Sequence, residues 1–346
     1  MRIALLAPPF IPVPPPHYGG TELFLAQLAE GLQALGEDVV VYSNGESKVG
    51  VEVRSLYPSA EWPIEGQVYD NLKDMNHVSW ALADAARECD VMHVNGVPGV
   101  VMSRLVSQPV VYTMHHPHLE GLSEVFRFFP DVEYVTISDF QRRKERMPRM
   151  RTIHHGLNFA DYQFVEEKED YLAFIGRIAP VKGVHLAIAA AQRAGIPLKI
   201  AGEVQPMFRE YYRNEIKPHL DGTLIEYIGP ADLAAKNELL GRARAMLFPI
   251  QWDEPFGLVM IEAMACGTPV LALQGGAVPE VVKEGVSGHV CRSLEEMAQH
   301  ARSLALSSRV VRQYAEERFS LERMVEQYRE LYRELAAGAQ PGEAVA

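Results

Sequence analysis

The sequence predicts an α/β protein of two doubly wound domains, each a parallel sheet with helices on both faces. Short apolar, β-branched segments alternate with longer segments of helical periodicity along most of the 346 residues. This alternation is typical of parallel sheets that are covered on both faces. An acidic segment without periodicity, residues 157–170, interrupts the series near its middle. We therefore expect an N-terminal domain over residues 1–160 and a C-terminal domain over residues 161–320.

Candidate strands precede and follow this boundary in two series. The first series is residues 3–7, 39–42, 91–94, 110–114 and 134–137, and the second is residues 171–175, 198–201, 224–227, 245–248 and 269–273. Helical patterns lie between them, and residues 23–35 carry apolar side chains at positions 24, 28, 32 and 35. Residues 321–336 predict an amphipathic helix that packs back on the N-terminal domain, and residues 337–346 predict a disordered tail.

Composition indicates a folded protein and argues against several classes of function. Apolar residues make up 48% and charged residues 23% of the chain, as in ordinary globular domains. No segment approaches the ~18 apolar residues that a membrane span needs. A net charge of −12 argues against nucleic acid as a partner, because phosphate binding needs a basic face. The three cysteines lie far apart, so no disulfide framework is predicted and we expect a reducing, cytoplasmic location.

The first loop after a predicted strand, residues 8–20, is long and contains six prolines. In doubly wound sheets, ligands bind beyond the carboxyl ends of the strands, so loops in this position carry function. The loop ends in Gly19 and Gly20 at the start of a helix, where glycine lets a backbone amide approach a phosphate. A tight turn explains the pair equally well. The spacing is not GxGxxG, so a nicotinamide cofactor is not predicted.

Two other loops of this kind carry polar residues that suit a ligand. The strand at 110–114 is followed by His115, which would face the ligand edge or lie exposed in the loop; no cysteine or carboxylate nearby completes a metal site. The strand at 171–175 runs into GRIAPVKG, which places Arg177 and Lys182 just before a helix. Cations at a helix N-terminus suit a diphosphate, although exposed loop cations are the simpler alternative.

The segment 253–272, DEPFGLVMIEAMACGTPVLA, is the most informative part of the chain. Glu262 is the one charged residue in a helix that is otherwise apolar on all sides, so it is predicted to be buried and to need a polar partner. Glu254 lies where the chain enters this helix. The two carboxylates could bracket a ligand rich in hydroxyls, or be one surface glutamate and one core glutamate paired with an arginine. The next loop carries Gly275 and Gly276, which suit either a turn or a ligand.

Residues 141–151 hold six Arg or Lys against one Glu. A local basic patch in an acidic protein is usually a solvated helix face. The sharper interpretation is contact with a phosphorylated acceptor or weak peripheral contact with an anionic membrane surface.

The chain resembles retaining glycosyltransferases of family 4, which have the GT-B fold of two facing Rossmann-like domains with a cleft between them. The resemblance covers nearly the whole chain through YGGTE, VVYTMHH, GRIAPVKG, the Glu254-x7-Glu262 spacing and GGAVPEVVKEGVSGHV. It implies that Glu262 holds the nucleotide ribose and Glu254 the donor sugar, helped by backbone amides of Phe256, Gly257 and Leu258.

The resemblance also implies that Arg177 and Lys182 bind the diphosphate, that Gly19 and Gly20 approach the donor, and that His115 lies near the sugar. The expected activity is transfer of a hexose from a nucleotide-diphosphate sugar to an unidentified acceptor, with retained configuration. No metal or other cofactor is expected, because no Asp-x-Asp pair occurs. The alternatives are a nucleotide-sugar epimerase, a phosphorylase-like enzyme that holds pyridoxal phosphate, and a non-catalytic nucleotide-sugar binding protein.

Overall fold

The computed structural model describes residues 1–16, 19–62, 64 and 68–338, which form two compact α/β units. The N-terminal unit comprises Met1–Gly156 and the segment that begins at Leu321, and the C-terminal unit comprises Leu157–Ser320. The division therefore falls slightly earlier than the sequence places it. His17 and Tyr18 of the proline-rich loop, and residues 339–346 of the predicted tail, lie outside the described residues.

The N-terminal unit is built on a seven-stranded parallel sheet. Its strands are β1 (Arg2–Leu6), β2 (Asp38–Ser43), β3 (Glu52–Ser55), β4 (Val91–Val94), β5 (Val110–Met114), β6 (Glu133–Thr136) and β7 (Met150–Thr152). Their order across the sheet is β3-β2-β1-β4-β5-β6-β7. The helices between them are α1 (Gly20–Ala34), α2 (Val68–Ala85), α3 (Val97–Met102), α4 (Glu120–Phe126) and α5 (Asp139–Lys144).

Both faces of this sheet are buried, which explains why its central strands are continuously apolar. Ile3 and Leu5 of β1 belong to the hydrophobic cluster that includes α1. Ala4 and Leu6, the alternate residues of the same strand, belong to the cluster that includes α2. This alternation is the period of two that a strand between two helix layers requires.

The C-terminal unit repeats this plan with a six-stranded parallel sheet. Its strands are β8 (Leu172–Ile175), β9 (Leu198–Ala201), β10 (Ile225–Gly229), β11 (Ala245–Phe248), β12 (Val270–Leu273) and β13 (Gly288–Cys291), in the order β10-β9-β8-β11-β12-β13. Its helices are α6 (Val184–Ala194), α7 (Arg209–Tyr211), α8 (Leu233–Arg242), α9 (Leu258–Ala265), α10 (Val278–Val281), α11 (Leu294–Ser303) and α12 (Ser308–Phe319).

The last helix, α13 (Leu321–Gly338), returns to the N-terminal unit and packs on α1. A side chain at Gly31 of α1 would collide with Val325 of α13, so the absence of one permits the close approach.

Three strands, β3, β7 and β13, do not correspond to any strand predicted from the sequence, and each lies at an edge of its sheet. Within the described ranges, no helix combines the length and the apolar character that crossing a membrane requires.

Candidate active site

The loop between β8 and α6 carries Arg177 and Lys182 at the carboxyl end of the sheet, where ligands of such folds bind. Gly183 ends this loop in the left-handed conformation (φ 73°) and is the N-cap of α6. A Cβ at Gly183 would overlap the carbonyl oxygen of Pro249, so only glycine fits the turn. The turn therefore holds Lys182 directly before the N-terminus of α6.

Lys182 and Glu254, which are 72 positions apart in sequence, are in direct contact. The Lys182 Nζ lies 2.6 Å from Glu254 Oε2, and the Trp252 indole N–H donates to the same oxygen at 2.7 Å. The ammonium also lies 4.8 Å from the centre of the Trp252 ring. The two charged side chains are only 16% and 9% exposed. Both groups therefore lie in a partly desolvated site in which their interactions with a ligand are strengthened.

Glu262 lies in α9 and is 3% exposed, as its apolar surroundings predict. Its Oε1 accepts hydrogen bonds from Lys236 Nζ at 2.9 Å and from the Tyr162 hydroxyl at 3.0 Å. Its Oε2 is buried and has no hydrogen-bond partner among the described residues. The polar partner is thus a lysine and a tyrosine, rather than the arginine that the simpler interpretation offered. Sequence reasoning missed both, because no motif marks either residue.

The backbone that leads into α9 can supply further donors. Gly257 is the N-cap of α9 in the left-handed conformation (φ 88°), and no side chain caps this helix. The first amides of a helix carry partial positive charge and are suited to anions or hydroxyl oxygens. The Phe256 side chain is buried and packs edge-on against Phe319, so only its backbone can serve a ligand. Leu258 is the first residue of the helix.

The Gly275–Gly276 loop packs against the backbone that carries Glu254. Gly276 has φ 57°, and a Cβ there would overlap both the backbone nitrogen and the carbonyl oxygen of Glu254. The Ala277 amide donates to the Glu254 carbonyl at 2.9 Å. The close approach that these glycines allow is therefore to the protein itself, and it fixes the position of Glu254.

In the N-terminal unit, Gly19 and Gly20 form the start of α1 and His115 follows β5. The His115 Nε2 lies 2.9 Å from Asn95 Oδ1, and its ring stacks on that of His155 with 5.5 Å between centroids. Burial, together with the neighbouring histidines, lowers the pKa of His115 well below its ordinary value. His115 is therefore neutral at neutral pH and acts as a hydrogen-bonding group, not as a cation.

Glu22, in the first turn of α1, is a third residue that sequence reasoning missed. It is 6% exposed, and burial raises the pKa of its carboxyl to about 7. A Cβ placed at Gly19 would lie 2.8 Å from Glu22 Oε2, so the carboxyl lies directly beside the glycine loop. A buried titratable group in such a loop is a candidate functional residue.

Two family models match consecutive parts of the chain. Residues 18–163 match the model described as Glycosyltransferase Family 4, and residues 159–318 match the model described as Glycosyl transferases group 1. Together they cover residues 18–318, which include every candidate site residue. The chain belongs to the group 1 glycosyltransferases of family 4. The glycosyltransferase activity expected from the resemblance is thereby confirmed.

Curated relatives extend over most of this glycosyltransferase. Spore coat protein SA of Bacillus subtilis is 23% identical to it, over 96% of this chain and 99% of that protein. A glycogen synthase of Mycobacterium tuberculosis is 26% identical, over 84% of this chain and 83% of that enzyme.

Solved structures confirm the predicted GT-B fold. AviGT4, a glycosyltransferase involved in avilamycin A biosynthesis, is 25% identical with a TM-score of 0.72, over 97% of this chain and 98% of that one. Sucrose-phosphate synthase from Thermosynechococcus elongatus is 20% identical with a TM-score of 0.80, over 97% and 99%. Anabaena HepE, solved in complex with UDP and glucose, is 19% identical with a TM-score of 0.76, over 97% and 100%.

Proposed function

We propose that this glycosyltransferase transfers a hexose-type sugar from a nucleoside-diphosphate sugar to an acceptor, with retained anomeric configuration and without a metal ion. The family supplies the reaction type. The complex of the similar protein HepE with UDP and glucose supports the class of donor. The proposed acceptor is a sugar, a lipid-linked compound or a small molecule that offers a hydroxyl group.

The observation that carries the proposal is the contact between Lys182 and Glu254 at the start of α6. The ammonium is held 2.6 Å from the carboxylate, and the N-terminus of α6 follows directly. A cation and a helix N-terminus together suit a diphosphate, while a carboxylate beside them suits the hydroxyls of the attached sugar. Arg177, in the same loop, is the second proposed diphosphate ligand.

Glu262 is the proposed ligand of the nucleotide ribose. A ribose diol presents two hydroxyl donors, and Glu262 has one buried oxygen that no described group satisfies. An unsatisfied buried acceptor of this kind costs about 1–3 kcal/mol, which a ligand hydroxyl would recover. We propose that the backbone amides of Phe256, Gly257 and Leu258 bind the donor sugar beside Glu254.

In the proposed step, the acceptor oxygen attacks the anomeric carbon on the face from which the diphosphate departs. The bond between that carbon and the phosphate oxygen breaks, and the acceptor proton passes to the departing phosphate oxygen. The products are a glycoside with retained configuration and a nucleoside diphosphate. Lys182 and Arg177 stabilise the negative charge that develops on the leaving group, so neither a protein base nor a metal ion is needed.

For the N-terminal unit we propose the roles that the resemblance implies. The backbone of Gly19 and Gly20 approaches the donor, and the neutral imidazole of His115 lies near the transferred sugar.

The sequence of this unit also supports the proposed weak contact with an anionic membrane surface. Between residues 141 and 151, five cations are exposed: Arg142, Arg143, Lys144, Arg146 and Arg149. Equal sedimentation with neutral and anionic vesicles would contradict this contact.

A thermal-shift panel of nucleoside-diphosphate sugars tests the proposed donor class, since a ligand that binds the folded state raises the melting temperature. We expect one donor to give a clear rise and its nucleoside diphosphate a smaller one. Slow release of that diphosphate without acceptor would exclude a non-catalytic binding protein. The anomeric configuration of the glycoside, read by NMR, then distinguishes retention from inversion. A panel without any shift would contradict the proposal.

A further inference from the structure

A cluster of metal-binding side chains lies at the edge of the C-terminal sheet, on elements that carry none of the candidate donor-site residues. Glu284 lies at the start of the turn that leads into β13, His289 lies in β13, and His300 lies near the end of α11. Each residue offers one potential ligand atom, and these three atoms all lie within 4.8 Å of one another.

The backbone fixes the first two members of this cluster. Glu284 forms an isolated parallel bridge with Gly288, and the Gly285 amide donates to the Gly288 carbonyl at 2.9 Å. The Glu284 Oε2 accepts from the Val290 amide at 2.9 Å. The tight turn from 284 to 288 therefore holds the carboxylate beside the strand.

The side chains of the cluster are already in contact. The His289 Nδ1 lies 2.5 Å from Glu284 Oε1, and the rings of His289 and His300 stack with 3.9 Å between centroids. A second carboxylate, Glu296 of α11, has its Oε1 3.9 Å from His300 Nε2. Four potential ligand groups thus gather where β13 meets α11.

We propose that Glu284, His289 and His300 bind a divalent transition-metal ion of the zinc class. Two imidazole nitrogens and one carboxylate oxygen are a donor set that Zn²⁺ accepts, with a water or a further carboxylate as the fourth ligand. Mg²⁺ and Ca²⁺ are disfavoured because they select oxygen ligands. Binding requires the stacked rings to turn until their nitrogens converge. Their side chains are 17% and 29% exposed, which leaves room for this movement.

The bound ion is structural, because it joins an edge strand to the helix that covers it. Edge strands are the least protected part of a sheet, and β13 is the edge strand of this one. The ion would therefore raise the stability of the C-terminal unit without taking part in sugar transfer. The site does not depend on the proposed donor chemistry, so each can be tested separately.

The test is a Zn²⁺ titration of the whole, chelator-treated protein in competition with a chromophoric chelator, together with the melting temperature. We expect one tightly bound Zn²⁺, a higher melting temperature, and no such rise with Mg²⁺. His300→Gln should weaken Zn²⁺ binding at least about tenfold and remove the rise in melting temperature. Glu284→Gln should also weaken Zn²⁺ binding. Because Glu284 is exposed, this variant provides the test if His300→Gln folds poorly.

His219→Gln is the matched control, because His219 is an exposed histidine of the same unit at the end of the short 3₁₀ helix Lys217–His219. This variant should bind Zn²⁺ like the unchanged protein. Absence of Zn²⁺ binding, or binding that survives both His300→Gln and Glu284→Gln, would overturn the proposal.

Discussion

Lys236 donates to one oxygen of the Glu262 carboxylate, at 2.9 Å, and not to the other. The Tyr162 hydroxyl donates to the same Oε1, and the buried Oε2 has no partner in the part of the chain that the structure describes. Because both internal donors hold Oε1, the direction of Oε2 is fixed before any ligand arrives. This relationship explains why an apolar helix retains a carboxylate.

Glu262→Gln should weaken binding of the donor nucleotide. Because Lys236 and Tyr162 both donate to Oε1, the amide oxygen must take that place, and the amide NH₂ then replaces Oε2, the acceptor proposed for the ribose hydroxyls. A hydrogen bond to a charged group contributes about 1.5–3 kcal/mol, which corresponds to roughly 10- to 100-fold in Kd. Isothermal titration calorimetry with the preferred nucleoside diphosphate measures the change. Unaltered affinity would remove Glu262 from the ribose site.

Glu317→Gln is the control for this change, because Glu317 is an exposed glutamate of α12 that contacts Gln313. The calorimetric Kd of this variant should equal that of the unchanged protein. A cycle of Glu262→Gln with Lys236→Met tests the positioning role of the lysine. Contacting residues couple by about 0.5–3 kcal/mol in the free energy of unfolding, whereas additive effects would show that Lys236 does not act through Glu262.

Glu22→Gln should change how stability depends on pH. The carboxyl has a folded pKa of about 7 against an ordinary value of 4.5, so the folded state keeps a proton that the unfolded chain loses in this interval. Stability therefore falls as pH rises from about 4.5 to about 7. The glutamine variant lacks this loss. At pH 8 its unfolding free energy should therefore exceed that of the unchanged protein by up to about 3 kcal/mol.

Urea unfolding at pH 5 and pH 8 measures this difference. The buried histidines His93 and His155, whose pKa is lowered to about 3, act in the opposite direction. These histidines gain a proton below pH 6.5 in the unfolded chain but not in the folded protein, so acidification lowers stability. The loss is the same in both proteins and cancels when their stabilities are compared. An equal stability difference between the two proteins at both pH values would show that Glu22 does not titrate in this window.

Gly276→Ala should damage the position of Glu254. The added Cβ would overlap the Glu254 backbone, so that segment must move. Gly222→Ala is the matched control, since Gly222 also has positive φ (73°) but nothing lies within 4 Å of the added atom. The control should lose only roughly 1–2 kcal/mol of unfolding free energy, because alanine is strained at positive φ. Comparable unfolding free energies and donor affinities for the two variants would contradict the positioning role of Gly276.

The buried parts of the fold could be predicted from the sequence, because both faces of a central parallel strand are apolar. The strand β5, for instance, reads VVYTM and is buried at every position. The edge strands β3 (EVRS), β7 (MRT) and β13 (GHVC) could not be predicted, since they are short and carry polar residues. Edge strands of this kind avoid pairing with other chains, and the same property hides the strand pattern.

The candidate site, too, could be predicted only in part. Motif spacing predicts Lys182, Glu254 and Glu262 as site residues, and burial requires that Glu262 have a polar partner. The identity of that partner depends on how α8 packs beside α9, and Lys236 carries no local mark in the sequence. Glu22 was overlooked because an acidic residue in the first turn of a helix is ordinary, and only its burial shows that it is unusual.

The proposed role of Lys182 is tested by the rate at which Lys182→Met releases nucleoside diphosphate from the donor. Loss of a fixed positive charge aimed at the leaving group should lower kcat by about 10²- to 10³-fold. Lys199→Met is the control, because Lys199 of β9 lies over the Tyr171 ring rather than beside Glu254. We predict that Lys182→Met stays folded but loses activity, while Lys199→Met keeps it. Near-normal kcat in Lys182→Met would contradict the proposal that Lys182 stabilises the departing diphosphate.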